Sequence, residues 1–146
     1  MMESGFLSIL RDFVEITKLH PVLVNFTASL IPVSVASDWL ANYRKDESLR
    51  HTAWWTMVYA MIITPFTAIT GWLFWMNDDN GVTGMTIHKW LGTGLVVLLF
   101  NVFLWRFQIY RAKRQVPAAY LLLGLILIAL LTYQGHLGGE QVFSDM

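Results

Sequence analysis

The chain has 146 residues, of which 55% are apolar, and its ten acidic and ten basic side chains give a formal net charge of zero. This composition excludes an ordinary soluble domain and indicates an integral membrane protein, and the balanced charge gives no reason to expect nucleic-acid binding. Because the chain has no cysteine, disulfides, thiolate metal ligands and covalent haem attachment are excluded as well.

The first predicted element is an amphipathic helix over residues 3–18. Its apolar side chains recur at helical spacing, and charged residues occupy the other positions. We expect this helix to lie at the membrane interface, where it either covers the end of the membrane bundle or docks a partner protein. The residues of the apolar face are Phe6, Leu7, Leu10, Phe13, Val14 and Thr17.

Four later stretches are long and apolar enough to cross a bilayer, which takes about twenty residues of helix. Pro21 and Pro117 suit first-turn positions, and Gly138 and Gly139 are expected to end the fourth span. No internal repeat is evident. The sequence therefore predicts an all-α, four-helix membrane bundle that forms one membrane domain over residues 1–146. The predicted spans are 20–40, 52–76, 88–106 and 117–137.

Alternation of the spans puts the starts of the first and third spans on one side of the membrane, here called side A, together with both chain termini. The opposite side, side B, collects most of the basic residues in short loops. The positive-inside rule therefore predicts that side B is cytoplasmic and that side A faces the periplasm of a bacterial inner membrane. Near side B, Asp38 is expected to pair with Arg44, Arg50 or His51.

Three of the four histidines are predicted to lie at side A. His20 opens the first span, His88 opens the third, and His136 closes the fourth. In an up-down bundle the first and third helices are diagonal neighbours, an arrangement that offers two imidazoles to opposite faces of one haem iron. We therefore expect His20 and His88 to ligate one b-type haem, with His136 as a hydrogen-bond donor or alternative ligand. His51 lies alone at side B, so at most one haem is expected.

Other residues predicted at the level of these histidines fit a haem. Glycines leave space between helices for a planar ring, cations pair with propionates, and indole rings pack on the macrocycle. A simpler explanation is that the glycines allow close helix packing and the tryptophans form an aromatic belt. The residues concerned are Gly71, Gly92, Gly135, Lys18, Lys89, Arg11, Trp72 and Trp90.

Two alternatives to a haem stay open at this point. His20, His88 and His136 with Glu140 would supply a nitrogen-rich site for Zn, Cu or non-haem Fe. A single ion needs no space between the helices for a planar ring, so the glycines at this level favour a haem over an ion. The second alternative is a cofactor-free structural or assembly subunit of a larger membrane complex.

Short motifs in a fixed order carry a family resemblance. They are His20-Pro21, then Asp38-Trp39-Leu40, then His88, then the run from Gly135 to Glu140. Over residues 19–143 the chain resembles a family of small bacterial four-span membrane proteins catalogued as a domain of unknown function, some members of which are fused to Rieske-type iron–sulfur domains. The chain departs from that pattern in a longer stretch before Leu19 and in a tail that stops early.

The Rieske association implies electron transfer. The sequence thus favours a non-catalytic membrane electron-transfer subunit over an enzyme, because such a protein supplies ligands and a low dielectric while the iron carries the electron. Its expected partners are other subunits of a membrane redox complex, lipid, and a quinone or a periplasmic cytochrome.

Overall fold

A computed structural model describes the backbone of residues 5–74 and 83–144 and the side chains of residues 5–73 and 86–139. This part of the chain is helical apart from short connections, and it contains no strand, which confirms the predicted all-α class. Its helices are α1 (Gly5–Ile16), α2 (Leu19–Arg44), α3 (Glu47–Phe74), α4 (Thr83–Arg111) and α5 (Ala118–Ser144).

The four long helices are each long and apolar enough to cross a membrane, and they correspond to the four predicted spans. Most of them extend past the predicted boundaries, because capping rather than hydropathy decides where a helix begins. At the start of α3, for example, the Asp46 carboxylate accepts hydrogen bonds from Ser48 N and Oγ at 2.8 and 2.7 Å. These bonds lower the pKa of Asp46. The predicted end of the second span, residues 75–76, lies outside the described residues.

The fourth candidate span ends at Gly139, as expected, but Gly138 and Gly139 do not break the helix, since α5 continues to Ser144. Glycine marks a helix end when the backbone needs a left-handed conformation. Here both glycines are helical, and neither has a positive φ.

The long helices form a ring in chain order: α2 packs on α3, α3 on α4, α4 on α5, and α5 on α2. Within the described residues, no Cα of α2 lies within 8 Å of one in α4, and the same holds for α3 and α5. The first and third spans are therefore diagonal across the bundle, as predicted. α1 packs on α2 and α3 and buries Val14.

Burial in the first helix pair is repeated in the second. Every described buried position of α4 has a buried counterpart in α2 a constant number of residues earlier. Every described buried position of α5 likewise has a buried counterpart in α3. The pairs are Thr27 and Leu95, Ile31 and Leu99, Ser34 and Val102, Asp38 and Arg106, and Ala41 and Ile109, followed by Ala53 and Tyr120, Met57 and Gly124, and Ala60 and Leu127.

The bundle is therefore an approximate two-fold repeat of the hairpin α2–α3, with the pseudo-two-fold axis between the diagonal helices. The sequence itself shows no evident repeat, as expected. Few residue types are shared between the halves, so the repeat is visible in burial and not in residue identity.

A buried ion pair joins α2 and α4 at side B. Arg106 Nε and Nη2 each donate to one carboxylate oxygen of Asp38 at 2.8 Å, and both side chains have no exposed area. Arg106 Nη2 also lies 3.4 Å from the backbone oxygen of Arg50. The two charged residues occupy equivalent positions of the repeat, so they meet at the pseudo-two-fold axis.

Of the expected partners of Asp38, Arg44 and His51 were therefore wrong, and Arg50 acts on the carboxylate only as a nearby charge. Arg50 pairs with Glu47 instead, at 3.3 Å within α3. The physical reason is register: Asp38 points into the core, where the side chain at the same depth on the diagonal helix is Arg106, whereas Arg44 and His51 are exposed.

Removing one partner of this pair should destabilise the bundle strongly, because the other charge stays buried without compensation. We expect Asp38→Ala to lower the free energy of unfolding by about 3–5 kcal/mol. The charge swap Asp38→Arg with Arg106→Asp should recover most of that loss, since the positions are equivalent. Unfolding in detergent micelles, followed by circular dichroism, measures both effects.

The pair of Glu47 and Arg50 provides the control: Glu47 is 71% exposed, so Glu47→Ala should cost less than about 1 kcal/mol. A swap variant no more stable than Asp38→Ala would contradict the equivalence of the two positions.

Candidate functional site

A pocket opens at side A between the four long helices. It has about 120 Å³ of space accessible to water, which is room for several water molecules at roughly 10–15 Å³ each. Most of its lining is apolar or hydroxylic. The lining residues that sequence analysis had singled out are His20, Gly71, Trp72, His88, Lys89, Gly92 and Gly135.

His20 lies at the start of α2 and is held by α3. Its Nδ1 lies 3.1 Å from the backbone oxygen of Thr67 and 3.3 Å from Thr70 Oγ1. A carbonyl oxygen can only accept a hydrogen bond, so Nδ1 carries the proton of the neutral ring. The lone pair of this imidazole is therefore on Nε2.

His88 is held in the same way by α5. Its Nδ1 donates to the backbone oxygen of Gln134 at 3.1 Å. In return, Gln134 Nε2 donates to the backbone oxygen of His88 at 2.9 Å. The tautomer of His88 is therefore the same as that of His20, with the lone pair on Nε2.

The supports of the two imidazoles are equivalent in the repeat. Thr67 and Gln134 are separated by the same interval as the buried pairs of α3 and α5, and each is followed one helical turn later by a glycine, Gly71 or Gly138. A Cβ on Gly71 would lie 2.9 Å from His20 Cε1, and one on Gly138 would lie 2.8 Å from His88 Cε1. Each ring therefore lies against the backbone of the neighbouring helix, in a space that any side chain would fill.

Sequence reasoning missed two of these supports, Gln134 and Gly138. Gly138 had been interpreted as the end of the fourth span, and Gln134 had not been singled out. A signal was present: the interval from His20 to Gly71 is nearly the interval from His88 to Gly138. Gly92 has a related role, since a Cβ there would lie 2.8 Å from Gln134 Nε2.

The floor of the pocket differs between the two halves. Against α2 and α3 it carries hydroxyl groups: Thr27 Oγ1 lies 3.1 Å from Thr67 Oγ1 and 3.4 Å from Thr64 Oγ1. In the other half, the positions equivalent to Thr27 and Thr64 are Leu95 and Leu131, which also line the pocket. The site is therefore symmetric in its histidines and asymmetric in its polarity.

The rim of the pocket carries a cation and an indole. Lys89 Nζ lies 3.9 Å from the centroid of the Trp72 ring, a cation–π distance. Trp72 Nε1 donates to Thr93 Oγ1 at 3.0 Å, and the edge of Trp90 packs on Trp72 at 5.6 Å between centroids. Lys18 and Trp90 themselves do not line the pocket.

The relationship of the chain to known proteins follows from its match to a protein family. The model of a family described as predicted membrane protein (DUF2231) matches residues 17–146. The chain belongs to this family. The match confirms the resemblance to a small four-span domain of unknown function, and it begins one residue after α1 ends. No curated protein and no solved structure matches the chain.

Another predicted ligand of this DUF2231 chain, His136, lies away from the pocket. His136 is exposed on α5 and does not line the pocket. Within the residues that the structure describes, no three His, Asp or Glu side chains are grouped as metal ligands would be. The side chain of Glu140 lies outside the described part of the chain.

The close approach of each imidazole to a glycine gives a prediction. Gly71→Ala should lower the free energy of unfolding by about 1–3 kcal/mol, because the new methyl group displaces a ring that is fixed by its hydrogen bonds. Gly138→Ala should act in the same way on His88. Thermal unfolding in detergent measures the change.

Gly135→Ala is the matched control, since a Cβ there meets nothing within 4 Å. It should leave the stability unchanged or raise it by up to about 1 kcal/mol, as expected for glycine to alanine inside a helix. Equal effects at Gly71 and Gly135 would contradict the described position of His20.

Proposed function

We propose that this protein is a membrane electron-transfer subunit that binds one b-type haem in the side A pocket through His20 and His88. One observation carries the proposal. The two imidazoles line the same pocket from diagonal helices, at equivalent positions about the pseudo-two-fold axis, and each has its Nδ1 proton donated to a backbone oxygen.

This arrangement suits axial ligation. Histidines that bind metals donate their second ring N–H to a carbonyl or carboxylate, which fixes the tautomer and the ring orientation and raises the basicity of the ligating nitrogen. Here Nε2 of each ring would ligate. Because both Nδ1 protons are accepted by backbone carbonyl oxygens, the two ligands would be of similar strength.

The residues around the histidines fit the rest of a haem. The space beside Gly71 and Gly138 is occupied by the two imidazoles, and the space beside Gly92 by the Gln134 amide, so these glycines would hold the ligands in position and do not add room for the macrocycle. The lining supplies an apolar surface, including Val24, Leu95, Val96 and Leu131, for the macrocycle. At the rim, Lys89 would pair with a propionate in place of its contact with Trp72.

A haem with two histidine ligands supplies one-electron transfer and has no open coordination position for a substrate. The chain's own residues would orient the ligands, exclude water with the apolar lining, and place a cation at the rim. None of these roles requires bond-making on a substrate, which favours an electron carrier over an enzyme.

We further propose that side A is the periplasmic side of a bacterial inner membrane and that both termini lie there. The support is the concentration of arginine and lysine at the side B ends of the long helices and in the turns between them, over residues 44–50 and 111–114. The pocket would then exchange electrons with another subunit of a membrane redox complex, a periplasmic cytochrome or a quinone.

A cofactor-free structural or assembly subunit is the second candidate, and α1 favours it. Phe6, Ile9 and Ile16 are 70%, 68% and 80% exposed and occupy one face of this helix. Such a face would either enter the membrane interface or dock another subunit.

The visible spectrum of the purified protein separates the two candidates. After expression with haem supplied, the haem proposal predicts a Soret band and, on reduction with dithionite, the sharp α-band of low-spin iron. His20→Ala and His88→Ala should each abolish this low-spin spectrum, because each removes one axial ligand.

His51→Ala is the matched control, since His51 is exposed at side B, and it should keep the full spectrum. A folded protein with a featureless visible spectrum would overturn the haem proposal and leave the structural subunit. Loss of the bands in His51→Ala alone would place the haem at the other end of the bundle.

A further inference from the structure

Asn101 is an amide on the outer surface of α4. The side chain is exposed, and the residue lies near the middle of the candidate span Thr86–Arg111. In a bilayer, this position is at the depth of the hydrocarbon, where polar groups of the protein find no water. The amide is therefore costly at this position unless something pairs with it.

The helix itself satisfies only part of this amide. Asn101 Nδ2 donates to the backbone oxygen of Val97 at 2.8 Å, which uses one of its two protons. The second proton and Oδ1 have no partner among the described residues. Hydroxyls on the other spans differ, because half-buried Thr56 and exposed Thr132 each donate their single proton to a backbone oxygen of their own helix.

The surface around Asn101 has the spacing of a helix–helix seam. Gly94, Val97, Leu104 and Gln108 are exposed on the same face of α4 and, with Asn101, follow each other at alternating intervals of three and four residues. A Cβ on Gly94 would meet nothing within 4 Å. A second helix could therefore approach this face closely at Gly94 and contact the amide of Asn101.

We propose that this face of α4 binds the same face of a second copy of the chain. A carboxamide is both donor and acceptor, so two Asn101 side chains related by a two-fold axis complete each other with a pair of N–H···O bonds. The Gln108 side chain has the same self-complementarity near the end of the seam. In an apolar medium such bonds and the close packing at Gly94 drive helix association.

The absence of cysteine from the chain allows a direct test. In membranes, single substitutions Val97→Cys and Leu104→Cys should give a disulfide-linked dimer on mild oxidation, since each residue meets its own copy across a two-fold axis. Leu125→Cys is the matched control: Leu125 is 60% exposed on α5, off the seam, and should stay monomeric.

The role of the amide is measured separately by energy transfer between labelled copies in lipid vesicles. Asn101→Leu should weaken association about three- to thirtyfold, while Leu125→Ala, at the exposed position off the seam, should leave it unchanged. Equal cross-linking at positions 104 and 125, no effect of Asn101→Leu, or cross-linking of Leu104→Cys only to a different protein would each overturn the proposal. The haem spectrum is independent of all these readouts.

Discussion

The ion pair between Asp38 and Arg106 is the constraint on which the bundle depends. Two fully buried charges are stable only when each compensates the other, so α2 and α4 must present these side chains to the same point on the axis. His20 precedes Asp38 by the same interval as His88 precedes Arg106, and that interval is five turns of an α-helix. The rotation that brings the charges together therefore also turns both histidines toward the axis at the other end.

This coupling explains how a small bundle places two imidazoles on diagonal helices that do not touch. The separation of roughly 27 Å between the ion pair and the histidines, at 1.5 Å per residue, is close to the thickness of the hydrocarbon core. Charge pairing thus occurs near one membrane edge and the pocket near the other. The halves are alike in their pattern of burial but complementary in chemistry, with carboxylate against guanidinium at side B and threonines against leucines beneath the pocket.

Much of this could be predicted from the sequence. Hydropathy located the four spans, and their alternation placed His20 and His88 at one level on diagonal helices, because both arguments depend only on length and order. The partner of Asp38 could not be predicted, since it depends on the rotation of α2 against α4. The repeat was hidden because burial is shared while residue type is not, as in Met57 and Gly124. The role of Gly138 was missed because a glycine near a predicted helix end has a ready local explanation.

The backbone supports of the histidines have a consequence for how the site tolerates mutation. The acceptors of both Nδ1 protons are main-chain oxygens, of Thr67 and Gln134, and any residue at those positions provides the same oxygen. Side chains there can change, and with them the polarity of the pocket, while the direction of each ring is kept. Only the two glycines beside the rings are restricted to one residue type. The main-chain oxygens and the glycines fix the direction of the imidazole rings, whereas the neighbouring side chains set the polarity of the pocket. The properties of a bound group can therefore be altered without displacing its ligands.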